Sequence, residues 1–98
     1  MAGYSTSNPP QLIARGIGGS GSVWIYKSTD AASVVRVSGY FTNGYSLGMR
    51  AGDLLIQVDT DASPIATQLM IVNEASKSGA TETVDCSDGV AVTATDSD

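Results

Sequence analysis

Turn-forming residues divide this chain into apolar runs that are too short to build long helices. Asn43 and Gly44 form one turn signal, and residues 51–53 (Ala-Gly-Asp) form another. The runs between such signals, for example residues 23–26 and 54–58, are rich in β-branched and aromatic side chains, which favour strands. The pattern therefore predicts a mainly all-β fold, a small antiparallel β-sandwich or barrel-like domain with one short helix and an extended N-terminal arm.

The short helix is predicted within residues 30–38, where helix and strand signals compete. Ser28, Thr29 or Asp30 is suited to cap it, and Gly39 is suited to end it in the left-handed conformation. Three valines in the segment favour a strand instead. Because the spacing, the cap and the stop agree with one another, the sequence favours the helix.

Residues 65–72 predict a strand that is apolar on both faces. Leu69 and Ile71 alternate with apolar residues such as Met70, so one face is expected to meet the core and the other a helix or a subunit. The polar residues 73–80 that follow predict a loop.

The C-terminal segment predicts a hairpin whose loop is residues 87–89. In that register Cys86 faces Val90 and Val84 faces Val92, which places the apolar side chains on one face. The loop glycine then occupies the left-handed position that three-residue loops require.

Residues 1–15 predict an extended arm ahead of a single β-rich domain at 16–98. Pro9 and Pro10 favour an extended, polyproline-like path. Two interpretations of the arm remain open: a disordered end, or a segment that becomes ordered against a neighbouring subunit. Side chains that a neighbouring subunit could bury are present, since Tyr4 precedes the prolines and the apolar pair Leu12 and Ile13 follows them.

The 98 residues include a single cysteine and no histidine. Cys86 has no intrachain disulfide partner, so it is either a small buried hydrophobe or half of a bond across a symmetric interface. The absence of histidine removes the commonest metal ligand and the commonest general base. We therefore expect no enzymatic activity, no cofactor and no metal site.

The formal net charge of −5 originates in the last part of the chain. Residues 1–77 balance five acids with five bases, whereas residues 78–98 carry five acids and no base. An acidic chain without a basic stripe repels phosphate backbones, so nucleic acid is not an expected partner. No apolar run approaches the roughly 20 residues of a membrane span, and a signal-peptide pattern is lacking, so we expect a soluble protein made in a cytoplasm.

Two motifs suggest ligand binding, but the residues around them do not match the rest of the binding patterns. The run GIGGSG (residues 16–21) fits a dinucleotide-binding pattern, but the sequence after it predicts a strand and not the required helix. A flexible or tightly turned joint is the favoured interpretation. Asp59 and Asp61 resemble the start of a calcium loop, but Pro64 and Met70 replace its glycine and its bidentate glutamate.

The segments LIARGIGGSGSVWIYKSTDA, GYFTNG and LGMRAGDLLIQVDTD resemble the small capsid decoration (cement) proteins and related virion components encoded among the head genes of tailed bacteriophages. The resemblance covers about residues 10–61. It implies a β-rich domain that forms a homotrimer on the outer surface of an icosahedral head. There it would bind the major capsid protein and stabilise the shell by bridging capsid subunits.

These considerations give one leading functional hypothesis and one alternative. The first is a structural virion protein located on the capsid outer surface. The alternative is an adhesion or carbohydrate-binding β module of a phage fibre, with Trp24, Tyr26, Tyr40 and Tyr45 as stacking surfaces. Aromatic, apolar and arginine side chains near turns and in the arm are the candidate subunit or capsid interface. These residues are Tyr4, Pro9, Pro10, Leu12, Ile13, Tyr40, Tyr45, Met49 and Arg50.

Overall fold

The computed structural model describes residues 3–15, 21–62 and 65–92. Most of the glycine run (16–20) and the end of the calcium-like segment therefore lie outside the described residues. The described elements are mostly strands, with two four-residue helices. In chain order they are β1 (Gln11–Arg15), β2 (Ser22–Ser28), α1 (Ala32–Val35), α2 (Gly44–Leu47), β3 (Leu54–Asp59), β4 (Ala66–Ser78), β5 (Thr81–Cys86) and β6 (Val90–Val92).

The strands form one sheet in the order β1-β2-β3-β4-β5, and β6 also pairs with β4. The prediction of a small β domain is confirmed. The sheet is open and mixed, however, where the sequence pattern predicted an antiparallel sandwich or barrel, because β2 and β3 run parallel. A parallel pair needs a long crossover, and residues 29–53 supply it with both helices.

The crossover contains the predicted helix and a second helix that the sequence did not predict. Gly39 adopts the expected left-handed conformation, with φ of +84°, but it does not end α1, which stops at Val35 with Arg36 at its C-cap. Ala31, not a polar residue, lies at the N-cap of α1, and no side chain among the described residues caps this helix. The turn predicted at Asn43 and Gly44 is the start of α2, which ends at Gly48 with φ of +110°.

The loop predicted at 73–80 is wrong, because β4 continues to Ser78. A β-bulge at Asn73 hides this continuation in the sequence. Val72 pairs with Cys86, but Glu74 pairs with Asp85, so one extra residue interrupts the alternation.

The predicted hairpin between β5 and β6 is also wrong. Both strands pair with the long β4, where Val72 pairs with Cys86 and Leu69 pairs with Val90. Residues 87–89 interrupt what is otherwise one edge strand along β4. The interruption is held in place because the amide of Ser87 donates to the carbonyl of Ile71 at 2.8 Å.

The first described residues fold onto their own chain. Tyr4 packs against the hydrophobic core, and Pro10 is buried. Residues 11–15 of the predicted arm form β1, which pairs antiparallel with β2. Asn8 also donates a side-chain hydrogen bond to the carbonyl of Lys27 at 2.9 Å. The segment is therefore ordered against its own domain.

Candidate functional site

The two sides of the sheet differ in what covers them. On β2, Trp24 and Tyr26 point into the core, where both helices pack, whereas Val23 and Ile25 point to the opposite side. We call the side with the helices the inner face and the other side the outer face. The outer face consists of Gln11, Ala14, Val23, Ile25, Lys27, Leu54, Ile56, Val58, Thr67, Leu69, Ile71, Val90 and Val92.

Cross-strand pairing arranges the outer face into rows. The middle row runs Ile25, Ile56, Leu69 and Val90, each residue paired with the next across one strand boundary. Paired residues on neighbouring strands point to the same side of a sheet. Four apolar side chains from four strands therefore form one continuous ridge.

Apolar residues also dominate the rows on either side of this ridge. Val23, Leu54 and Ile71 form one of them. The other consists of Lys27, Val58, Thr67 and Val92. Among the described residues, Lys27 is the only charged member of the three rows.

Much of this apolar surface is open to solvent. Val90 is 72% exposed and Ile71 is 52% exposed, while Val92 and Leu69 are 47% and 38% exposed. On β2 and β3 the apolar residues of the face are less accessible: Val58 is buried, and Val23, Ile25, Leu54 and Ile56 are half-buried. Contiguous apolar patches of this kind usually mark a site of association.

The residues at the two ends of the outer face carry opposite charges. Lys27 lies near the end of β2 and is exposed. At the other end of the strands, Glu74 and Asp85 pair beyond the bulge and point away from the core positions Ala75 and Val84. The apolar rows are thus flanked by a base at one end and by acids at the other.

The residues predicted as an interface occupy several different environments. Leu12 and Ile13 are exposed on β1, and Pro9 is half-buried. Met49 lies inside the core and contributes no exposed surface, because it packs beneath α2 near Gly44. Tyr40 is half-buried in a hydrogen-bonded network and not in a surface patch.

That network joins the crossover to the sheet. The Tyr40 hydroxyl donates to the carboxylate of buried Asp30 at 2.6 Å and lies 2.8 Å from the Tyr26 hydroxyl. Burial, followed by the hydrogen bond to Asp30, raises the pKa of Tyr40 well above its usual value. The Asp30 carbonyl accepts a hydrogen bond from the Gln57 side chain. These contacts give Tyr40 a structural role.

Arg50 and Tyr45 form a separate surface unit. The Arg50 guanidinium lies 3.8 Å from the centre of the Tyr45 ring and donates to the Tyr45 and Met49 carbonyls at 2.9 and 2.8 Å. Arg50 also lines, with Arg15 and Asp53, a cleft of about 280 Å³. Of the predicted interface residues in the crossover, Arg50 is exposed, whereas Tyr45 is half-buried like Tyr40.

The aromatic rings that a sugar-binding surface would use are largely enclosed. Trp24 is 2% exposed, and its indole nitrogen donates to the carboxylate of Asp53 at 3.0 Å. Tyr26 is fully buried. Neither ring is available to stack on a carbohydrate.

Cys86 belongs to the core and is 4% exposed. Burial, with a smaller contribution from Asp85, raises the pKa of the Cys86 thiol to about 12. The folded protein therefore retains this proton at pH values where the unfolded chain, with an ordinary thiol, has lost it.

The raised pKa predicts that the thiol destabilises the fold only at alkaline pH. In the unfolded chain the thiol has a pKa of about 9, and below that pH the stabilising contribution of the buried, protonated thiol is fully present. This contribution should be lost as the pH rises toward about 12, the pKa of the thiol in the folded protein. Urea unfolding between pH 7 and 11 will measure this loss. The raised pKa values of Tyr4 and Tyr40 also lower the stability at alkaline pH, in the variant as in the parent. Cys86→Ala lacks only the thiol, so it should lose less stability over this range than the parent chain. An equal loss would contradict the prediction.

The described part of the chain shows no group of three or more histidine, cysteine, aspartate or glutamate side chains arranged to hold a metal ion. Neither of its helices is long and apolar enough to cross a membrane. Comparison of the chain with protein-family models, with curated proteins and with solved structures finds no match. The outer face is therefore the feature on which a functional argument depends.

The sequence pattern indicated part of this face. The apolar character of both sides of residues 65–72 suggested that a helix or a subunit covers the second side, and Leu69 and Ile71 lie there. Val90 and Val92 were missed, because the predicted hairpin turned them toward Cys86 and Val84. Pairing with β4 turns them outward instead.

Proposed function

We propose that this chain is a structural virion protein that binds the outer surface of a bacteriophage capsid and bridges neighbouring capsid subunits. The observation that carries the proposal is the apolar outer face, whose large hydrophobic side chains on β4 and β6 are exposed in the part of the chain that the structure describes. Monomeric soluble proteins rarely expose contiguous apolar patches larger than a few hundred Å². An apolar face of this kind is buried when the chain is part of an assembly, and the proposed partners are the major capsid protein and further copies of the chain.

The exposed edge of β1 offers a second association surface. Leu12 is 41% and Ile13 is 54% exposed there, and β1 pairs only with β2 within the described part of the chain. Edge strands present unpaired backbone groups that can pair with a strand of another protein. Strand addition at β1 is the contact that we propose with the capsid.

The surface unit of half-buried Tyr45 and exposed Arg50 is suited to the same role. Aromatic and arginine side chains are enriched in interfaces relative to the rest of the surface. Many individually weak contacts of this kind on a repetitive shell add up through avidity, so no single site has to be strong. The role proposed here is structural and requires no catalytic group, cofactor, nucleic acid or membrane.

The alternative of a carbohydrate-binding fibre module has less support. It relies on open aromatic rings, and Trp24 and Tyr26 lie in the core. The Tyr45 ring carries the Arg50 guanidinium on its face. No observation on the described residues favours this alternative over the capsid protein.

Co-sedimentation with undecorated phage heads tests the proposal. The purified chain should pellet with the heads at micromolar concentration, and Ile13→Glu should reduce the bound fraction about tenfold or more, because it places a charge in the proposed contact. Val37→Glu is the matched control, since Val37 is 55% exposed but lies in the crossover. A parent chain that stays in the supernatant would refute the proposed function.

A further inference from the structure

We infer that the outer face is the surface through which copies of this chain pack against one another, and that it is not the surface that contacts the capsid. The inference rests on the proposed function in one respect only, namely that the chain works as part of an assembly. It assigns the largest apolar surface to a definite occupant, another copy of the same chain.

The chemistry of the face favours a second copy of itself. The four central residues of its middle row, Ile25, Ile56, Leu69 and Val90, carry no charge and no side-chain hydrogen-bonding group, and the polar Gln11 ends this row on β1. An uncharged apolar ridge gains most from a partner that is also apolar, because burying an unpaired polar group there would cost free energy. The chain carries a net charge of −5, so two copies approach with least repulsion through surfaces that are free of acids.

The ends of the face are complementary to each other. When two faces pack with their strands antiparallel, the Lys27 end of each copy lies toward the end of the other copy that carries Glu74 and Asp85. When the strands are parallel, like charges meet at both ends. Charge complementarity at the rim of an interface selects orientation and excludes the wrong arrangement. The face is therefore self-complementary in charge as well as in polarity.

The size of the face predicts that self-association through it is weak. Four strands spaced about 4.8 Å apart and three rows about 7 Å apart outline roughly 20 Å by 20 Å, or about 400 Å² of flat area per copy. Two such faces remove about 800 Å² or more from water, which approaches the lower end of specific interfaces, about 1,200 Å². We therefore expect an association that depends on protein concentration.

Packing through the outer face leaves the other association surface free. β1 is the terminal strand of the sheet, and its exposed edge lies at the margin of the outer face and not across its centre. Sheets that pack face to face lie about 10 Å apart and do not cover their own edges. A self-associated form can therefore still present Leu12 and Ile13 to a capsid.

Light scattering of the isolated full-length chain across a concentration series tests the inference. The parent chain should form a dimer of twice its 10.0 kDa mass, because antiparallel packing of one outer face on another joins two copies only. A homotrimer, at three times that mass, would require a different contact and would contradict this packing. Ile71→Glu should weaken self-association about tenfold or more, since it places a charge in the apolar rows. Val37→Glu should associate like the parent, because Val37 is 55% exposed against 52% for Ile71 but lies outside the face.

A second variant separates loss of association from loss of folding. Leu69→Thr keeps a strand-favouring residue at a position that is 38% exposed, and it should also weaken association while the emission of buried Trp24 stays blue-shifted. A monomeric parent at all concentrations, or folded Ile71→Glu and Leu69→Thr that associate like the parent, would overturn the inference. A monomer that pellets with heads would refute this inference alone, whereas an oligomer that does not pellet would refute only the proposed function.

Discussion

Replacing Asp53 with alanine should lower the free energy of unfolding by about 3–5 kcal/mol, a large part of the 5–15 kcal/mol typical of a domain. Asp53 is buried, and its carboxylate accepts three hydrogen bonds. The donors are the amide of Ser22 at 3.1 Å, the indole of Trp24 at 3.0 Å and the amide of Arg50 at 3.0 Å. Alanine leaves all three donors without this acceptor, and each buried unsatisfied donor is costly.

Urea unfolding monitored by Trp24 fluorescence, together with a thermal melt, will measure this loss. The expected change corresponds to a melting temperature lower by about 15–30 °C. The stability of Asp53→Asn should lie between that of the parent and that of Asp53→Ala. The asparagine amide retains one acceptor oxygen, but its NH₂ group faces a donor that the carboxylate had accepted. Asp61→Ala, at an exposed acid, is the control and should change stability by less than about 0.5 kcal/mol. If the stability of Asp53→Ala changed as little as that of the control, the conclusion that the Asp53 carboxylate stabilises the fold through these hydrogen bonds would be wrong.

Asp53 also illustrates how much of the fold follows from local sequence. The turn at residues 51–53 and the strand after it were predicted correctly, because glycine and β-branched residues act locally. Nothing local indicates that this aspartate joins the start of β2, since its partners Ser22 and Trp24 lie far away in sequence. Hydrogen bonds between buried groups that are far apart in sequence can be predicted only when the path of the crossover is known.

The errors in the C-terminal half have one common cause. Short-range rules pair a strand with its sequence neighbour, but β4 is long enough to pair with both β5 and β6. The bulge at Asn73 breaks the alternation that would have indicated this length. As a result the predicted hairpin placed Val90 and Val92 on the same face as Cys86 and Val84, and the outer face was only partly predicted.

Phe41→Ala should lower the free energy of unfolding by about 3–5 kcal/mol, because it removes a fully buried ring and leaves a cavity. The ring lies at the centre of an aromatic cluster formed with three tyrosines. Its centroid is 5.4 Å from that of Tyr4, 5.0 Å from Tyr26 and 5.0 Å from Tyr40, all with edge-to-face geometry. These rings come from the N-terminal segment, from β2 and from the crossover, so one side chain joins three parts of the chain.

The same substitution should release the N-terminal segment before the rest of the domain unfolds. Tyr4 is held by the cluster and by its hydroxyl, which donates to the side chain of Asn43. Without Phe41 the amides of residues 3–8 should exchange with solvent deuterium at least about tenfold faster under native conditions. Phe41→Leu, which refills most of the cavity, should restore much of the stability and slow this exchange again. Unchanged exchange in Phe41→Ala would mean that β1 and the bond from Asn8 to Lys27 hold the segment without the aromatic cluster.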